Sequence, residues 1–298
     1  MRPSNLKTRI FLDSGDPNET REVIKFLGFL DGQTTNPSLI AKNPETTGKK
    51  FSQKEILEFY KKVVVEVSAL IPAGSVSVEV YADPSTSSGD MLEQGRDFFS
   101  WIPNAHIKFP TTKEGLKAAE IAVKEGMRVN LTLCFSQEQA AAVYAATRGA
   151  KKGQVFVSPF VGRLDDRGEN GMQLVENIIK MYRAGDGHVE VLTASVRNLN
   201  HLQYAIQLGS DILTALLKVL KEWADSNFPP QAWRAPFSIP PQAWGGIKGE
   251  VETAKELKPI PYREVSLDNP WQDYDIRHEL TDVGIEKFAA DWNALIKP

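Results

Sequence analysis

The chain has 298 residues, 42% of them hydrophobic and 24% charged, with a formal net charge of -3 at pH 7. That balance fits one large domain or two small ones and lacks the basic excess that nucleic-acid binding requires. No apolar stretch reaches the roughly 20 residues of a membrane span, and Met1 to Thr8 hold no apolar secretory core, so the cytoplasm is the expected location.

Arg9 to Asp13 reads as a first strand, broken by Ser14-Gly15-Asp16-Pro17 and followed by a helix through Glu22, Val23, Phe26 and Leu27. A second short strand ends at Thr34-Thr35-Asn36, where the residue before Pro37 avoids helical geometry and turns the chain. Ile56, Leu57, Tyr60, Val63, Val64 and Val67 lay a helical stripe along residues 53–70. Val76 to Ala82 alternates, placing Ser77, Glu79 and Tyr81 on one face and three valines on the other. A helix near residues 89–99 leads into Ala105-His106-Ile107-Lys108-Phe109-Pro110, a strand with Lys108 and His106 on one face, and a helix from Glu114 to Glu125 follows. Residues 128–135, 154–160 and 189–195 repeat the strand pattern, and residues 210–214 form a weak eighth. Helices fit between them, notably at residues 171–183, 199–208 and 215–224.

Eight strand-helix units in roughly 220 residues match a (β/α)8 TIM barrel, the alternative being an open doubly wound sheet. Asp13, Asn36, Glu79, Lys108, Asn130 with Thr132, Ser158 and Ser195 each sit late in a strand, so a barrel gathers them at one mouth. Packing alone does not account for seven strands each supplying a polar residue there, because every unpaired buried polar group costs roughly 1–3 kcal/mol. A lysine in open water is protonated and a poor nucleophile. On an enclosed face it becomes suited to attack a carbonyl and form a Schiff base. A single cysteine, Cys134, excludes internal disulfides. The four histidines lack zinc spacing, and no Walker or dinucleotide glycine motif occurs, so chemistry without a metal or cofactor is expected.

The motifs Thr34-Thr35-Asn36-Pro37-Ser38-Leu39-Ile40, Val78-Glu79-Val80, Ile107-Lys108-Phe109-Pro110, Val129-Asn130-Leu131-Thr132-Leu133, Ser158-Pro159-Phe160-Val161-Gly162-Arg163-Leu164-Asp165 and Ala194-Ser195-Val196-Arg197-Asn198 together resemble the transaldolase family. The resemblance implies that Lys108 forms the Schiff base with a ketose phosphate and that Asp13 takes the C4 hydroxyl proton. It further implies that Glu79 and Thr132, with a water, move protons during imine formation. Asn36, Asn130 and Ser158 would hold the retained three-carbon unit, and Arg163, Ser195 and Arg197 the phosphate. Relatives that release free dihydroxyacetone carry glutamine and tyrosine where this chain has Glu79 and Phe160, so the transferase pattern is implied. A sulfonated sugar would suit the same cationic residues, and a barrel that binds sugar phosphates without catalysis is the alternative of another class.

The expected partners are therefore small sugar phosphates, with neither nucleic acid nor membrane. The expected domains are a catalytic barrel over residues 1–226 and an extension over residues 227–298. From Asn227 the composition shifts to prolines and tryptophans, and Pro229-Pro230-Gln231-Ala232-Trp233 recurs as Pro240-Pro241-Gln242-Ala243-Trp244. Such a segment is expected to lie against the barrel or a neighbouring subunit of a homo-oligomer. A final helix from about Asp282 carries Ile285, Phe288, Ala289, Trp292 and Ile296 on one stripe.

Overall fold

The computed structural model of the chain describes residues 2–226 and 257–297. Eight parallel strands close into a barrel in chain order, the eighth pairing with the first. The elements are β1 (Arg9–Asp13), α1 (Pro17–Leu27), β2 (Gly32–Thr34), α2 (Pro37–Ala41), α3 (Gln53–Leu70), β3 (Ser75–Glu79), α4 (Ser88–Trp101), β4 (Ala105–Pro110) and α5 (Lys113–Lys124). They continue as β5 (Val129–Cys134), α6 (Gln137–Ala146), β6 (Val155–Pro159), α7 (Val161–Asp166), α8 (Gly171–Tyr182), β7 (Val189–Val196), α9 (Leu199–Leu208), β8 (Ile212–Ala215) and α10 (Leu217–Asp225). A last helix, α11 (Glu279–Asn293), lies within the second described stretch. The architecture is the expected (β/α)8 TIM barrel.

Local chemistry sets where the helices begin. Asp16 accepts from the Asn18 amide ahead of α1, with Pro17 at the first helical position. Ser52 and Glu55 form a reciprocal capping box on α3, and Thr112 caps α5. Alternation along β4 sends Ile107 and Phe109 outward onto α4 at Gly95 and turns Lys108 and His106 inward. Deep in the barrel, the His106 ring stacks on Phe156 with centroids 4.0 Å apart, and Phe11 meets Phe156 edge-on. Burial pushes His106 down to about 3, so it stays neutral, bonded to Ser75 Oγ and the Gly153 carbonyl. It shares a face with Lys108 but lies toward the opposite end of the barrel.

Register then fixes which residues meet at the C-terminal mouth. Asp13 stands opposite Thr34, Thr34 opposite Ser77, Glu79 opposite Lys108, and Lys108 opposite Asn130. Among the described residues, two non-glycine residues have left-handed backbones, Leu133 (φ 58°) and Ser195 (φ 57°). Each sits where strand register shifts, in β5 and β7 respectively, so both are bulges at the mouth.

Several boundaries differ from the sequence reading. β3 stops at Glu79, because the Tyr81 amide donates to Gln94 Oε1 on α4 instead of continuing the ladder. Ala215 ends β8 and does not begin a helix. Arg163 lies on the short helix α7, an additional helix between β6 and α8. α11 begins at Glu279, three residues before Asp282, because the His278 side chain accepts from the Leu280 amide and caps it. The repeated Pro-Pro-Gln-Ala-Trp motif lies outside the described residues. Within residues 257–277, the Ile260 amide donates to Gln173, Arg263 exchanges two hydrogen bonds with Gln137, and Trp271 Nε1 donates to Glu120. α11 packs on α2, with Ile285, Phe288, Ala289 and Trp292 buried, and Ile296 bridges to Phe51 beyond its end.

Candidate active site

β4 delivers Lys108 to the barrel axis, where it is 3% exposed. Its Nζ donates to the Thr35 carbonyl at 2.9 Å and lies 2.8 Å from Glu79 Oε2. The contact with Glu79 is a close ion pair, off the axis of an aligned hydrogen bond. Breaking such a pair by deleting one partner costs about 3–5 kcal/mol, because the other charge stays buried. Burial pushes the Glu79 carboxyl above its ordinary range, opposed by the Lys108 charge. Asp13 is raised for the same reason, opposed by Lys108, by the Thr34 hydroxyl and by Lys42. Thr34 Oγ1 donates to Asp13 Oδ1 at 2.7 Å and lies 2.6 Å from Thr214 Oγ1. The lysine thus sits with two carboxyls whose protonation burial favours and its own charge opposes.

A cavity of about 340 Å³ opens above the lysine. Of the residues picked from the sequence, Asp13, Asn36, Lys108, Thr132, Ser158, Phe160, Arg163, Ser195 and Arg197 line it. Glu79 and Asn130 do not. Glu79 stands behind Lys108, and Asn130 supports Ser158, accepting from its hydroxyl at 2.7 Å while donating to Ser77 Oγ. Thr132 Oγ1 is buried without a hydrogen-bond partner among the described residues, which leaves its hydroxyl for a ligand. Asn36 Oδ1 accepts from the Leu39 amide and caps α2, and its NH2 is the donor it can offer a ligand.

Arg163 and Arg197 add cationic groups to the cavity lining. Arg163 lies between the rings of Phe160 and Phe288, 5.5 and 5.2 Å from their centroids, and has no carboxylate partner among the described residues. Asp165 and Asp166, its neighbours on α7, do not pair with it. Asp165 instead meets His201 at 2.7 Å, and Asp166 meets Arg197 at 2.8 Å. Arg197 Nε also lies 3.4 Å from Ser195 Oγ, held near it by the β7 bulge. An unpaired guanidinium beside a second one and a hydroxyl suits a tetrahedral dianion.

Gly162 makes that closeness possible. A Cβ there would collide with the Ser195 carbonyl and with Arg197 Cγ and Nε, and the carbonyl is backbone that cannot swing aside. Gly162→Ala should therefore raise KM for an anionic substrate by about tenfold or more while circular dichroism stays native. Unchanged KM would mean that Arg197 is not part of the anion site.

Sequence reasoning missed Thr34, Ser38, Lys42 and Thr214 as cavity residues, and it missed Lys287, Phe288 and Asp291 of α11. Asp291 bonds both Ser38 and Lys287, tying α11 over the mouth. A stripe of apolar residues showed that α11 packs. The polar positions beside that stripe, Lys287 and Asp291 four apart, were the available signal that it also borders the site.

The fold and the mouth define a barrel with a cavity lined by Lys108 and two arginines. The family profile of transaldolase/fructose-6-phosphate aldolase matches residues 10–298, and the chain belongs to that family. A protein named "Probable transaldolase" from Dehalococcoides mccartyi is 42% identical over 215 residues, spanning 72% of this chain and 89% of its own. One of the same name from Alkaliphilus metalliredigens is 34% identical over 289 residues, 97% and 100% of the two chains. Another from Roseiflexus castenholzii is 32% identical over 286 residues, 96% and 97% of the two.

Proposed function

We propose that the protein is a transaldolase that moves a dihydroxyacetone unit from a ketose phosphate, sedoheptulose 7-phosphate or fructose 6-phosphate, to an aldose phosphate, glyceraldehyde 3-phosphate or erythrose 4-phosphate. The observation that carries this reading is the buried Lys108 amine, 2.8 Å from Glu79, beneath a cavity that Asp13 and Arg163 also line. Glu79, whose burial favours the protonated form, takes a proton from the ammonium and leaves Nζ free to attack the C2 carbonyl. Glu79 and Thr132 then move the protons that turn the carbinolamine into an iminium as water leaves. Asp13 accepts the C4 hydroxyl proton. The C3–C4 electron pair flows into the iminium, giving an enamine on Lys108 and a free aldose phosphate. The enamine carbon attacks the carbonyl of the second aldose, Asp13 returns the proton, and water hydrolyses the new iminium.

Ser158, supported by Asn130, and the Asn36 amide would hold the hydroxyls of the retained unit, while Arg163, Ser195 and Arg197 would hold the phosphate. Incubation with fructose 6-phosphate, borohydride reduction and peptide mapping should place a dihydroxyacetone-sized mass on Lys108. Prior addition of erythrose 4-phosphate should discharge it. An adduct that drains to free dihydroxyacetone without an acceptor would mark an aldolase, and one formed only with 6-deoxy-6-sulfofructose would mark a sulfosugar enzyme. No adduct with either sugar would leave only binding.

A further inference from the structure

Tyr60 belongs to α3, outside the barrel, yet its side chain is buried and its hydroxyl reaches the C-terminal ends of β2 and β3. Those strands stop pairing at this point. The Thr35 amide still donates to the Ser77 carbonyl, but the Glu79 amide donates to the Tyr60 hydroxyl at 2.9 Å and not to β2. Thr35 Oγ1 donates to the Ser77 carbonyl at 2.8 Å and lies 2.6 Å from the Tyr60 hydroxyl. Because Thr35 has one hydroxyl proton and it goes to Ser77, the phenol must donate to Thr35. Every proton in the chain is thus assigned: Glu79 N–H to Tyr60, Tyr60 O–H to Thr35, Thr35 O–H to Ser77.

The two residues tied by this phenol are the two that hold Lys108 Nζ, Thr35 through its carbonyl at 2.9 Å and Glu79 through its carboxylate at 2.8 Å. The ring is itself fixed by edge-on contacts with Phe98, Trp101 and Trp292, at centroid distances of 5.8, 6.0 and 5.9 Å. Trp292 lies on α11, the helix that also supplies Lys287, Phe288 and Asp291 to the cavity. We propose that Tyr60 is a positioning residue for the Lys108 amine, its hydroxyl setting the spacing between the Thr35 carbonyl and the Glu79 carboxylate that hold Nζ. The inference deepens the Schiff-base reading and rests on it for its kinetic consequence. The charged groups near the amine are Asp13 on β1, Glu79 on β3, Lys42 after α2 and Arg163 on α7, and Tyr60 touches the backbone of Glu79.

Tyr60→Phe keeps the ring and removes the hydroxyl. It should lower kcat by about tenfold or more with KM for the ketose phosphate within about twofold, and displace the pH profile of kcat by about half a unit. Thr35→Val breaks the same relay from its other end, and the double variant should be no slower than the worse single one. A readout that needs no substrate is the pH dependence of Lys108 acetylation by acetic anhydride, scored by peptide mapping against exposed lysines. Displacement of that curve in Tyr60→Phe by about half a unit supports the assignment. Superimposable labelling curves and an unmoved pH profile, with only the melting temperature lowered, would reduce Tyr60 to a packing residue. Should Tyr60→Phe not fold, Thr35→Val decides by the same curve. If the wild type takes no dihydroxyacetone adduct, the Schiff-base reading falls while the labelling curve still decides Tyr60.

Discussion

Replacing Lys108 with methionine is expected to reduce transfer between sugar phosphates on the order of 10⁵-fold, the scale seen when a covalent nucleophile is removed. Methionine keeps most of the volume in a fully packed position, so the barrel need not collapse. What it removes is the amine proposed to make C2 an electron sink, together with the charge that opposes the raised carboxyls of Glu79 and Asp13. Borohydride trapping with fructose 6-phosphate should then leave the protein at its unmodified mass. A variant that retained even about one part in a hundred of wild-type turnover would rule out an obligatory imine on this residue.

The second large effect is expected at Asp13, and it has opposite signs for activity and stability. Asp13→Asn keeps an acceptor oxygen for Thr34 Oγ1 but cannot take a proton, so turnover should fall by about 10²–10⁴-fold, the usual contribution of a general base. Burial raises the Asp13 carboxyl above its ordinary value, so the folded protein holds this proton more tightly than the unfolded chain does. The stability this gives is complete below the unfolded value, near pH 4, and is lost as pH rises through the folded value. Asparagine carries no charge to desolvate. Asp13→Asn should therefore melt above the wild type at pH 7, and the gap should close as pH falls below about 4. A lower melting temperature at pH 7 would mean that attraction to Lys108 outweighs burial.

The fold was largely legible in the sequence because every strand is buried and every connection is helical, so apolar runs and 3.6-residue stripes alternate down the chain. Lys108 was legible through its motif: a lone lysine between Ile107 and Phe109 also fits a side chain that reaches solvent at a strand end, and the resemblance to the transaldolase family decided between the two. Three kinds of information were not legible. The left-handed backbones at Leu133 and Ser195 fall on residue types that carry no turn signal. The partner of Asp165 comes from α9 and that of Asp166 from the turn after β7, not from the neighbouring Arg163, since proximity along the chain says little about which charges face each other. Tyr60 was correctly read as part of an apolar stripe, but a stripe describes the ring and is silent about the hydroxyl at its far end.

The sandwich of Arg163 between Phe160 and Phe288 has a consequence for how the protein becomes competent during synthesis. The ribosome releases all eight strands, Lys108 and Phe160 among them, before Phe288 emerges on α11. A nascent barrel can close as soon as β8 is available to pair with β1, because domains fold as units from their N-terminal side. At that stage Arg163 has one ring beside it and no Lys287 or Asp291 above it. Closure of the barrel can therefore precede completion of the Arg163 sandwich, which needs a ring from the last helix.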